Sequence, residues 1–189
     1  MDAKTAKGFF DNQEWFNLFF EQLSGLYDSL GKALAELELE ESAKRWYYKN
    51  TEQPSVPDKF MAFYADGASR QLAAVALLAE PKSEKLQVKE PALAIIAHDA
   101  GSDATHGVAM NVLNGQKIRR CEQDNDGITF HGELTWDVRF RGFFVPLDAF
   151  SEGNCSDLDA AVREKIAGPL QEMLGKHFSK PGKKSKSGA

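Results

Sequence analysis

The sequence predicts an α+β fold with an N-terminal amphipathic helix, a central and mainly antiparallel sheet of about five to seven strands, and a broken C-terminal helix. Three observations carry this. Apolar residues recur at gaps of four and three from Phe16 to Leu37, which is a helical period. Apolar and polar residues alternate from Ile128 to Arg141, which is a strand period. Between these two stretches the extended runs are joined mostly by short turn signals rather than helical segments, as in an antiparallel sheet.

The first helix is expected over Asp11 to Leu37. Asp11 and Glu14 form a capping box, and Phe10 and Trp15 stand at the hydrophobic-staple positions. Phe16, Phe20, Leu23, Tyr27, Leu30, Leu34 and Leu37 make the stripe, widened by Trp15, Phe19 and Leu26. This spacing also suits a coiled-coil seam, which makes a homodimer an alternative, but so wide and aromatic a face fits a core helix laid on a sheet. Gly25 and Gly31 each cost about 1 kcal/mol in a helix interior, so both are read as points of close approach to that sheet.

Glu38 to Ser42 is polar, and Arg45 to Tyr48 is either a short aromatic strand or the end of a second helix. A loop with Pro54 and Pro57 leads to the strand-like runs Phe60 to Ala65 and Gln71 to Ala79, a hairpin about Asp66-Gly67-Ala68-Ser69. Leu72 to Ala79 is apolar on both parities, as in a central strand covered on both faces. The charged connection Glu80 to Pro91 holds a short edge strand at Leu86 to Val88. Ala92 to Ala97 is a buried strand and Val108 to Val112 a further one, followed by an Asn114-Gly115 turn, a strand at Lys117 to Gln123 and a turn at Asp124 to Gly127.

In the alternating run, Gly132 falls on the apolar parity and marks a bulge, bend or turn that preserves phase. Phe143 to Val145 ends at Pro146. The last helix starts near Ser156 or Asp157, with Leu158, Val162, Ile166, Leu170, Met173 and Leu174 on one side and a break or kink at Gly168-Pro169. Packing both terminal helices on the sheet's apolar face leaves the polar parity, His131 to Arg141, on the far side.

A chain of 189 residues fits one domain, here residues 1–178, followed by a basic, disordered tail, 179–189. The five lysines from Lys176 to Lys186 have no acid among them, so the residues before them carry 18 basic and 28 acidic side chains, a net of −10. That acidic body argues against a nucleic-acid surface. Two cysteines in no ligand spacing, no apolar leader and no run of 18 apolar residues suggest a cytoplasmic protein without a membrane span, a structural metal or a cofactor.

Three places could carry chemistry. His131, Glu133, Asp137, Arg139 and Arg141 share one strand parity and could read a small anionic ligand or a protein partner, arginine offering a bidentate fork to carboxylate or phosphate; the plainer reading is a solvated face of cross-strand ion pairs. His98, Asp99, Asp103 and His106 follow an apolar strand and could ligate a divalent metal or serve as acid–base groups. Asp66 on a turn, then Glu80 and Lys82 after an apolar strand, with Pro81 between them, is similar to the PD-(D/E)xK nuclease signature. That resemblance implies a magnesium site at Asp66 and Glu80, with Lys82 assisting the attacking water. The general layout is shared with small sensor domains of the PAS, GAF and profilin-like kinds, although no motif ties the chain to them. With no catalytic constellation written plainly, the sequence favours a non-catalytic binding module, an adaptor, regulatory or small-ligand-sensing domain; a metal-dependent hydrolase or nuclease is the alternative.

Overall fold

Helix α1 (Ala3–Ala35) lies across one face of an antiparallel sheet in the computed structural model, which describes residues 3–48, 57–66, 71–77, 83–88, 90–151 and 155–178. The helix begins before Asp11, so Asp11 and Glu14 lie inside it and do not cap it. The helix-favouring alanines and lysines from Ala3 to Lys7 extend it upstream. Leu23, Leu26, Tyr27, Leu30 and Leu34 are all buried, which makes this half of α1 a core helix. The glycines do not mark contact with the sheet. A Cβ at Gly25 would rest 3.9 Å from Leu158 of the C-terminal helix, and one at Gly31 would meet nothing within 4 Å.

Seven strands follow among the described residues, β1 (Glu40–Tyr48), β2 (Pro57–Ala65), β3 (Gln71–Leu77), β4 (Ala92–His98), β5 (Ile118–Gln123), β6 (Thr129–Leu134) and β7 (Arg139–Pro146). They are ordered β1-β2-β3-β4-β7-β6-β5, and every neighbouring pair is antiparallel. The Arg45 to Tyr48 segment is thus strand. Every residue of β3 and β4 is buried, as the doubly apolar run of β3 demands. The hydroxyl of Tyr27 reaches the β2–β3 ladder, 2.9 Å from the carbonyl of Phe60 and 3.1 Å from that of Ala74, and accepts the N–H of Ala76 at 2.9 Å.

The Val108 to Val112 run is helical. Helix α2 (Thr105–Asn114) buries Val108, Ala109, Val112 and Leu113, a stripe at gaps of one and three, so the alternation of Val108, Met110 and Val112 was only half of the pattern. Asn114-Gly115 is then a helix end, not a hairpin turn. Gly115 sits at φ 67°, and the Gln116 N–H bonds to the carbonyl of Asn111 at 2.8 Å. Nor is Leu86 to Val88 a strand. Leu86 is buried in the core, and the side chain of Gln123 satisfies both the N–H and the carbonyl of Gln87, at 2.8 and 3.0 Å.

Gly132 makes no bulge in β6; its partners on either side stay in register with β5 and β7. It is instead one of two glycines under phenyl rings. Phe140 stands opposite Gly132 and Phe130 opposite Gly142, and a Cβ on either glycine would lie 2.6 or 2.4 Å from the facing ring. The turn comes later, at Thr135 to Asp137, where Leu134 donates its N–H to Val138 at 2.8 Å and Asp137 takes φ 63°.

The last helix is α3 (Leu158–Val162), a π turn (Arg163–Ala167) and α4 (Gly168–His177), with Asp157 as N-cap accepting the N–H of Ala160 at 3.0 Å. The π turn sends the N–H of Gly168 to the carbonyl of Arg163, which accommodates Pro169 just behind it. The break therefore falls one turn before the expected Gly-Pro.

Both faces of the sheet are covered. Leu72, Ala74, Leu93, Ile95, Phe143 and Val145 meet α1, α3 and α4, while Ala73, Val75, Ala94, Ile96, Phe130, Phe140 and Phe144 meet α2 and Leu86. This corrects the expected placement of the polar parity. The apolar parity of β6 and β7 belongs to the α2 side, so His131, Arg139 and Arg141 lie on the same side as α1, α3 and α4.

Candidate functional site

On that side, β6 and β7 meet α4 along a groove of about 740 Å³. Strand alternation supplies the floor, Thr129 and His131 from β6 and Arg141, Phe143 and Val145 from β7. Helical periodicity supplies the wall. Lys165, Pro169, Glu172, Met173, Lys176 and His177 recur along one stripe of the π turn and α4, beside the buried stripe of Ile166, Leu170 and Leu174. A smaller cavity of about 210 Å³ continues from the Arg141 end, lined by Arg120, Glu133, Arg139 and Phe178.

Four of the five residues predicted from the strand face are brought together here. His131 stands opposite Arg141 and Glu133 opposite Arg139. Asp137 does not join them, because the Thr135–Asp137 turn carries it off the strand face. It is held there by Arg119, which bonds both Asp137 and Glu133 at 2.6 Å. Arg119 is the extra residue of a β-bulge between Ile118 and Arg120.

The ion pairs divide these groups sharply. Arg139 is taken by Asp99, whose carboxylate accepts the Arg139 Nε–H at 2.7 Å and its backbone N–H at 2.9 Å. Arg120 is paired with Glu122 and Arg163 with Glu36. Of the five arginines whose side chains are described, Arg141 alone has no carboxylate partner among the described residues. It is half-buried on the same face of β7 as Phe143 and lines the groove with His131 and His177. The imidazole of His177 is pushed below its usual range, first by burial and then by the positive charges of Arg141, Lys176 and His131. Nearby carboxylates are engaged elsewhere. Glu172 bonds Lys176, Asp124 accepts the hydroxyl of Thr129, and Glu122 lies 3.4 Å from His131 while paired with Arg120.

The wall was not foreseen. The sequence pattern puts Met173 on the apolar side of the last helix and does not say that Pro169, Lys176 and His177 face β6 and β7 with it. The i, i+4, i+7, i+8 spacing of Pro169, Met173, Lys176 and His177 was the available signal.

The segment after β4 does not assemble as a shared site. His98 is fully buried, Asp99 is bound to Arg139, and Asp103 and His106 are exposed, the His106 ring lying edge-on to Phe63 at 6.1 Å. The Nδ1 of His98 accepts the N–H of Ala100 at 3.2 Å, its Nε2 has no partner among the described residues, and burial pushes its pKa down to about 4. Among the described residues, no three His, Cys, Asp or Glu side chains are placed to hold a metal ion. Asp66 is described, while Glu80, Lys82 and the 179–189 tail lie outside the described residues. Cys121 is half-buried, and burial raises its thiol. No described helix is long and apolar enough to cross a membrane.

No protein-family model, curated protein or solved structure matches this chain.

Proposed function

We propose that the protein is a non-catalytic binding module that holds a small anionic ligand in the groove between β6, β7 and α4. The guanidinium of Arg141, which has no carboxylate partner among the described residues, carries this reading. Its half-buried fork of donors stands over an apolar floor, and a carboxylate or phosphate would engage it through two parallel hydrogen bonds. His131 and His177 flank the same position and add donors. Arg139, Glu133 and Asp137 are occupied with one another's neighbours and are read as the frame that holds this end of the sheet, not as ligand contacts.

A thermal-shift panel of small carboxylates and phosphates tests the proposal, since a ligand that binds only the native state raises Tm. At least one class should raise the Tm of the parent and fail to raise that of Arg141→Gln. Shifts of equal size in both proteins would overturn it.

A further inference from the structure

We infer that the ligand is an amphipathic monocarboxylate, with its carboxylate on the guanidinium of Arg141 and its apolar body laid along β7 over Phe143 and Val145 toward Ala149. This rests on the anion-binding reading above and adds the ligand's shape and direction.

The groove is graded along its length. At one end Arg141 stands beside His131 and His177. From there the floor runs through Phe143 to Val145 and the wall through Met173 to Pro169, and Pro146 and Ala149 line the far end. Among the described residues, the charges bordering that far part are Lys165 and Asp124, of opposite sign, and Glu172, which is paired with Lys176, so the unbalanced positive charge lies at the Arg141 end. A molecule that matches this gradient has one anionic head and an uncharged tail. The head is a carboxylate because one guanidinium without a carboxylate partner among the described residues supplies one positive charge, which a carboxylate's single negative charge matches, whereas a phosphate monoester carries about −1.5 to −2. The tail has a definite reach. The four residue steps from Arg141 to Val145 cover about 13 Å at roughly 3.3 Å per step, and the groove volume of about 740 Å³ lies within the ordinary range for enclosing a small molecule.

Calorimetric titration of the full chain with acetate, hexanoate, decanoate and 1-decanol, each kept below its aggregation limit, tests the inference. Decanoate should bind about a hundredfold or more tighter than acetate, with hexanoate between them, because each methylene covered by the floor adds to affinity. Arg141→Gln should weaken decanoate about tenfold or more and leave 1-decanol unchanged. Equal affinities for acetate and decanoate, both lost in Arg141→Gln, would overturn the tail and leave the anion site standing. Decanoate affinity unaffected by Arg141→Gln would overturn both, and no carboxylate binding at all would overturn the monocarboxylate and leave the anion site to the phosphates of the thermal-shift panel.

Discussion

Replacing His98 with leucine should make the protein markedly more resistant to acid. His98 is fully buried at the end of β4, and its Nδ1 accepts a hydrogen bond from Ala100, which puts the ring proton on an Nε2 that has no acceptor among the described residues. Burial disfavours the charged imidazolium and drops the pKa from 6.5 to about 4. In the window between these values the unfolded chain binds a proton that the folded protein refuses, so stability falls as pH is lowered through it. The drop corresponds to roughly 3 kcal/mol, fully retained above the unfolded value and fully lost only below the folded one. At neutral pH the leucine variant should be nearly as stable as the parent. It loses the bond to Ala100, worth about 1 kcal/mol, and removes a buried donor whose isolation costs a comparable amount. Urea denaturation followed by far-UV circular dichroism at pH 7.5 and 4.5 makes the comparison. The parent should lose about 2–3 kcal/mol more than His98→Leu between the two, while carboxylate titrations common to both proteins cancel. A stability difference between parent and variant that does not change with pH would refute the reasoning.

Gly142→Ala should destabilise the protein by about 3 kcal/mol or more, because a Cβ there would lie 2.4 Å from both the Ile95 carbonyl oxygen and the Phe130 ring; an unchanged urea midpoint would contradict the close packing described. Tyr27→Phe removes a hydroxyl that serves three backbone groups of β2 and β3 and should cost about 1–3 kcal/mol by the same measurement. Gly31→Ala should raise stability by about 0.5–1 kcal/mol, since the added methyl meets nothing within 4 Å and alanine favours the helix; a loss would show that the space is filled.

Much of the fold was legible because local periodicity and burial agree. The α1 stripe, the doubly apolar β3 and the alternation through β6 and β7 each announce their element. Alternation shows that two faces differ, however, and not which layer each face meets. With helices on both sides of the sheet, Phe130 and Phe140 could turn to α2 and leave His131 and Arg141 beside α4. Val108 to Val112 misled because alternate residues of a helix stripe can coincide with a strand pattern over five positions, and Asn114-Gly115 serves a helix end as well as a hairpin. Gly132 pointed to an irregularity that is instead a phenyl ring laid over a flat strand. For the candidate site, the strand half was readable from parity. The α4 half depends on how a helix docks across a sheet, and the isolation of Arg141 depends on which carboxylates its neighbours capture; neither is written in any local pattern.

The most direct measurement of the central claim is the arginine Nε–Hε NMR spectrum of labelled protein titrated with decanoate, with the Arg141 signal assigned by its loss in Arg141→Gln. Movement of the Arg141 signal together with the ring signals of His131 and His177, while those of the paired Arg119 and Arg139 stay in place, is the predicted result. Movement of the paired arginines with Arg141 still would contradict the assignment of this groove as the anion site.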